Sequence, residues 1–230
     1  MASCALLQGG RVLHLESSGV RTHSQSILPM VQQLLQQAGI ALKDCAAIAY
    51  GAGPGTFTGV RTACGIAQGL AFGAALPVLP VITLAAMALA CRQQCGAADV
   101  VAVLDARMGE VYWAQYRFAA DPAPLTLVPP TLSAPAGVHP QGSAASGFKF
   151  CGNGLAAHAA VFDGLAAHPG IMPHAVQIGQ LARIAFAAGA AVPARDAQPV
   201  YLRNKIAFTS DERRAILAAK AAAEAAEAAS

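Results

Sequence analysis

The chain has 230 residues, of which 55% are hydrophobic and 12% charged, with a formal net charge of +3. That composition excludes an intrinsically disordered protein and is enough for a substantial core. The weak, scattered positive charge gives no electrostatic footprint for nucleic-acid binding by this chain alone.

In chain order, β-prone runs at 4–7 and 12–15 flank the turn residues Gly9 and Gly10 and predict a hairpin. Residues 23–37 predict a helix, with Ser24 or Ser26 as cap, Pro29 in the first turn and Gly39 as the stop. Its residues Ile27, Met30, Val31, Leu34 and Ala38 form one apolar stripe, which Leu28 and Leu35 widen beyond a single core contact. A strand is expected at 46–50, then the loop GAGPGTFTGVR (51–61), then a helix over 59–72, a strand at 77–82 and a helix at 84–91. Residues 62–91 carry no charge, a length that raises the question of a membrane span. Pro77, Pro80, Gln68 and the recurring glycines favour helix, buried strand and helix instead.

The runs VVAVLDA and EVYWAQYRF predict two further strands, turned by Met108 and Gly109. Residues 119–147, rich in Pro, Ala and Ser, read as a long connection with extended pieces. FKFCGN reads as a strand ending in a turn, 178–187 as a helix, and PVYLRN as the close of this unit. Residues 211–230 are largely alanine and predict a frayed helix without an assigned function. Strands followed by helices, twice over, imply two related α/β lobes at 1–99 and 100–208, with a tail at 209–230.

Two readings of the glycine loop are open. It lacks the Walker register, and Thr56 or Thr58 stands where G-x-G-x-x-G requires its last glycine. Its placement between a strand and a helix capped by Thr58 nevertheless suits an anion, with Gly53, Gly55 and Thr58 as cofactor-binding candidates and Arg61 in the first turn. The other reading is a tight turn that needs positive φ at Gly53 or Gly55. Beyond it, Gly65, Gly69 and Gly73 line one helix face and admit another backbone, from the chain's own sheet or from a second chain.

Catalytic patterns are missing. There is no H-x-x-x-H pair and no nucleophile elbow. Asp105 and Glu110 around Arg107 read as hairpin charges satisfied at a strand end, in preference to a reactive cluster. The six histidines are scattered and read as surface residues. Cys91 and Cys95 would share a helix face but have no second pair to complete four zinc ligands, so no metal site is read. The other cysteines, Cys4, Cys45, Cys64 and Cys151, also sit in apolar runs without a disulfide framework. With no signal-peptide pattern at the start, the expected location is the cytoplasm.

AYGAGPGTFTGVRTACGIAQGLAFGAALPV, VLDARMGEVYWAQY and PVYLRNKIA together resemble the TsaB (YeaZ) family of bacterial accessory proteins for tRNA threonylcarbamoyladenosine biosynthesis. The likeness runs over 3–207, apart from the Pro/Ala-rich middle. It implies two ribonuclease-H-like lobes of the actin/sugar-kinase (ASKHA) type and a scaffold without chemistry of its own. The implied partners are the paralogous metal-dependent transferase subunit TsaD, which it activates, and the ATPase TsaE, which it helps to recruit. A homodimer is expected in isolation, and tRNA is reached through the complex. ATP or ADP and a metal are expected on the partner subunits, with no cofactor on this chain.

The implied docking surface is the first two helices of the N-terminal lobe, here carrying Ile27, Met30, Val31, Leu34, Arg61, Gly65, Gly69 and Gly73. The paralog's His-x-x-x-His metal pair is replaced by ITLAAMALA. Relatives also begin with an apolar strand ahead of the residues that match SCALLQGG. The N-terminal lobe therefore reads as lacking its first strand, and the expectation is an upstream start or a poorly stable chain, since neighbouring strands would keep unpaired backbone groups. The alternatives are a working ASKHA-type enzyme, either a small-molecule kinase or a glycoprotease-like peptidase, and a self-associating binding module.

Overall fold

Gly9, at φ +57°, and Gly10 turn the chain between β1 (Ala2–Gln8) and β2 (Arg11–Ser17), an antiparallel pair with Ala2 opposite Ser17. The computed structural model describes residues 2–17, 23–119, 123–142 and 147–203. The alanine-rich tail expected at 211–230 lies outside them.

Helix α1 (His23–Ala38) lies across the hairpin and buries Met30 and Leu34 against Ala2 and Cys4. Ser26 is not its cap. It lies inside the helix, buried, within 3.2 Å of the Ser17 hydroxyl, which puts Pro29 one turn deeper than expected. Strand β3 (Ile48–Gly53) pairs in parallel with β4 (Val78–Ile82), and α2 (Phe57–Ala74) makes the crossover. Helix α3 (Thr83–Cys95) is buried at every residue from Thr83 to Cys91, as a helix apolar all round must be. The uncharged run is thus helix, strand and helix. Among the described residues no helix is long and apolar enough to cross a membrane.

The second sheet is built from β5 (Asp99–Arg107), β6 (Glu110–Arg117), β7 (Leu125–Ser133), β8 (Lys149–Cys151) and, after the short helices α4 (Gly154–Ala157) and α5 (Ala159–Phe162), β9 (Ala167–His168). Its order is β7-β6-β5-β8-β9. The segment read as a long connection therefore holds a nine-residue strand. Strand β7 tolerates Pro129 and Pro130 because it is an edge, where a missing N–H leaves no ladder partner unpaired. Helix α6 (Ala175–Ala187) follows, and lies with α3 between the two sheets: α6 touches β1, β3 and β4, while α3 packs on β5, β6 and β8.

Comparison of the two sheets explains the first. In the second, β5 is hydrogen-bonded antiparallel to β6 and parallel to β8. In the first, β1–β2 and β3–β4 are separate two-stranded sheets, and no described strand joins β1 to β3. A cavity of about 1000 Å³ lies there, walled by β1, β3, Ile27 and Leu34 of α1, Ile66 and Leu70 of α2, and Ile178 and Ala182 of α6. Among the described residues, β1 and β3 are not joined across this cavity.

The end of the described chain departs from expectation. Rather than closing the second unit, residues 198–200 dock on the first sheet: the Tyr50 hydroxyl donates to Gln198 O (3.0 Å) and Val200 N–H donates to Ala52 O (2.7 Å). Arg203 then reaches back to the β5–β6 turn, pairing with Glu110 and donating to Arg107 O.

Joining a seven-residue apolar strand ahead of Ala2 through a two-residue turn should fill the gap. Burial of two branched side chains alone predicts a gain of at least about 2 kcal/mol, or about 4–8 °C in Tm at this chain length. Calorimetry of the two forms measures it, and an unchanged Tm would show that the edges of β1 and β3 are already satisfied.

Candidate partner interface and glycine-rich loop

The loop after β3 is shaped by the chain's own backbone. Gly53 has φ +116°, and a Cβ there would come within 2.8 Å of the Val200 carbonyl oxygen. Both the left-handed conformation and the close approach require glycine. A Cβ on Gly55 would meet Val60 at 3.2 Å, and the carbonyl of Pro54 accepts from the Thr83 hydroxyl. The cap of α2 is Thr56, whose hydroxyl accepts from Gly59 N–H at 3.3 Å. Thr58, expected in that role, is an exposed residue of the first turn, because α2 starts two residues earlier than its apolar pattern shows. Of the three anion candidates, then, Gly53 faces a backbone carbonyl, Gly55 packs on Val60, and Thr58 faces outward.

Beside the loop, burial and the neighbouring Cys64 thiol push the Tyr50 hydroxyl up to about 12. It stays a neutral donor and keeps residues 198–200 tied to β3.

Helix α2 turns Val60, Cys64, Ala67 and Ala71 inward. Its opposite face is exposed along Phe57, Arg61, Gly65, Gly69, Phe72 and Gly73. Among the described residues, nothing outside the helix's own backbone lies within 4 Å of a Cβ built on Gly65, Gly69 or Gly73, so the glycine strip faces away from the chain's own sheet. Phe72, 81% exposed, stands beside it. At the other end the Arg61 guanidinium lies 3.6 Å above the Phe57 ring and donates through Nε to the Tyr201 hydroxyl (2.6 Å). Phe57 and Phe72 were legible in sequence, at helical spacing from Arg61 and the glycines. Tyr201 was not, since 140 residues separate it from Arg61.

The α1 stripe is different. Met30 and Leu34 are 8% and 2% exposed and belong to the hairpin's core, while Ile27 and Val31 are half-buried beside them. The stripe is wide because the helix has two apolar neighbours, the hairpin and the cavity. What α1 leaves in the open is Leu28.

Asp105 pairs with Arg107 (3.3 Å) and accepts its N–H, and Glu110 pairs with Arg203, so the hairpin charges are satisfied locally. Cys91 and Cys95 share a helix face with sulfurs 3.6 Å apart. A hydrogen bond from the Cys151 thiol draws Cys91 down to about 7 against the effect of its burial. Two of the scattered histidines meet, His14 edge-on to His174 with ring centroids 5.5 Å apart. His174 also caps α6 through Nδ1, which accepts from Val176 N–H.

Strand layers with a helix pair between them, and a glycine turn leading into a helix with one exposed face, define a mixed α/β protein. The family model described as "TsaD: tRNA N6-adenosine threonylcarbamoyltransferase" matches residues 12–209. A TsaB protein of Haemophilus influenzae is 36% identical over 214 residues, covering 90% of each chain. The Escherichia coli TsaB protein is 42% identical over 193 residues, covering 82% of this chain and 84% of that one. A solved structure described as YeaZ from Pseudomonas aeruginosa superposes with a TM-score of 0.81 at 40% identity, covering 87% of this chain and 93% of that one. The chain belongs to the TsaB (YeaZ) family.

Substitutions in the loop separate its two threonines. Gly53→Ala should cost about 1–3 kcal/mol for a left-handed alanine, and Thr56→Ala about 1 kcal/mol for a lost cap. Thr58→Ala should stay within about 0.5 kcal/mol. Urea denaturation measures all three, and a larger loss at Thr58 than at Thr56 would reverse the capping assignment.

Proposed function

We propose that this chain is a non-catalytic scaffold subunit of the machinery that forms N6-threonylcarbamoyladenosine in tRNA. It pairs with and activates the paralogous transferase subunit TsaD and helps to recruit the ATPase TsaE. Membership of the TsaB family supports the pathway. The observation that carries the docking role is the open face of α2, where Gly65, Gly69 and Gly73 meet no other described part of the chain and Phe72 stands exposed beside them. A glycine strip lets a partner helix approach to backbone contact, and an exposed aromatic supplies an anchor for its pocket. Arg61, held between Phe57 and Tyr201, is an ordered cation at the rim of this face.

The docking contacts named in α1 act through shape. Met30 and Leu34 fix the helix against the hairpin, and Ile27 and Val31 complete its flank. The same α2 face serves a homodimer in the absence of the paralog. Nucleotide and metal then reside on TsaD and TsaE, tRNA is met through the complex, and the setting is the cytoplasm. The tight turn is the better reading of the glycine loop, because Gly53 and Gly55 both have near neighbours within the chain.

Mixing the chain with the paralogous subunit of the same organism, with masses read by light scattering, tests this. A one-to-one complex is expected. Gly69→Trp should abolish it, and Phe72→Ala should weaken it at least about tenfold, the loss typical of an anchor residue. Neither substitution should alter the melt of the chain by more than about 0.5 kcal/mol at concentrations too low for the homodimer, since both positions are exposed in the monomer. A complex indifferent to both would move the interface off α2. ATP turnover by the pure chain would favour the kinase reading over the scaffold.

A further inference from the structure

Strand β2 places His14 and Glu16 on one face, two residues apart, and both are exposed. The loop leading into α6 brings His174 against them. The Nε2 of His174 lies 2.8 Å from Glu16 Oε1, and ligand atoms from all three residues lie within 4.8 Å of one another. This is the group among the described residues whose metal-ligating atoms converge.

We propose that His14, Glu16 and His174 form a site for one borderline divalent transition ion, of which Zn²⁺ is the natural test case. Two imidazoles and one carboxylate suit such an ion and disfavour Mg²⁺ or Ca²⁺, which prefer sets made only of oxygen. The three ligand atoms are near enough for small side-chain adjustments to bring them into one coordination sphere, and the exposure of His14 and Glu16 leaves room for water to complete it. The loop is held in place independently of the ion: Ala175 N–H donates to Ser3 Oγ (3.0 Å), and the Arg183 guanidinium donates to Gly9 O (2.9 Å). The third ligand is therefore preset against the first two.

The protons balance within the His174 ring. Its Nδ1 accepts from Val176 N–H, so the neutral ring carries its proton on Nε2, facing Glu16. Coordination through Nε2 moves that proton to Nδ1 and releases the Val176 hydrogen bond, and none leaves the ring. The ion exchanges one cap contact of α6 and the His174–Glu16 hydrogen bond for coordinate bonds that tie the start of α6 to β2. Its role is structural: it fastens the hairpin, whose other strand borders the cavity, to the helix between the sheets.

The test is titration of the full chain with Zn²⁺ alone by calorimetry, with melts in parallel. One ion per chain is expected, together with a higher Tm that a chelator reverses. His14→Ala and Glu16→Gln change exposed residues of β2 and spare the cap of α6. Each should weaken binding at least about tenfold, by loss of a direct ligand, and remove the Tm gain. Co²⁺ should give weak visible bands without the intense thiolate charge-transfer band. No saturable binding, equal affinity in His14→Ala, or a thiolate band that persists in both variants would overturn the proposal, the last by assigning the ion to cysteines.

Discussion

Helix α6 is the support on which the first sheet rests. Its two halves, β1–β2 and β3–β4, exchange no hydrogen bonds with each other. What holds them in one layer is α6, which touches β1, β3 and β4 on one side and α3 on another. Gly179 brings the helix down on Leu7, where a Cβ would come within 2.7 Å of a Leu7 methyl carbon. Ser3 and Gly9 are tied to the same helix by hydrogen bonds at the two ends of β1. Non-directional apolar packing thus stands in for a ladder between β1 and β3, beside a large cavity.

The same economy shapes the glycine loop. A strand, a glycine turn and a helix N-terminus are the parts of an anion site, and here the closest approach to the turn is made by the carbonyl of Val200. A carbonyl oxygen and a phosphate oxygen make the same steric demand for glycine, so the motif alone does not reveal which is served. With residues 198–200 docked on β3, Tyr201 comes to the start of α2 and orders Arg61. The loop orients the exposed helix face through a chain crossing, and the buried Tyr50 hydroxyl, kept neutral, holds that crossing in place.

Surface chemistry follows the same division. Helix α2 has an inward face of small apolar residues and an outward face of glycine with aromatics, which is poor design for an isolated monomer and good design for close helix contact. Helix α1 spends its apolar residues inward, on the hairpin and the cavity, so the two helices contribute differently although both carry apolar stripes. Charges around the β5–β6 turn are neutralised by neighbours, Asp105 by Arg107 and Glu110 by Arg203.

Periodicity and turn chemistry in the sequence determined the elements: the Gly9–Gly10 hairpin, the helix–strand–helix nature of the uncharged run, and the Met108–Gly109 turn. Each depends on neighbours a few residues away. The motifs at 49–78, 103–116 and 199–207 also carried the family. Local pattern erred where two local solutions compete: Thr56 and Thr58 both suit a cap, and the start of α2 chose between them. It missed β7 because prolines that rule out a central strand are harmless at an edge, and edge position is a property of the sheet. Only the tertiary structure decided which face of α2 is open, that Met30 and Leu34 are core, that Tyr201 lies against Arg61, and that His174 meets His14 and Glu16. Those contacts join residues far apart in sequence, and what brings them together is the packing of two sheets around α3 and α6, which no local spacing encodes.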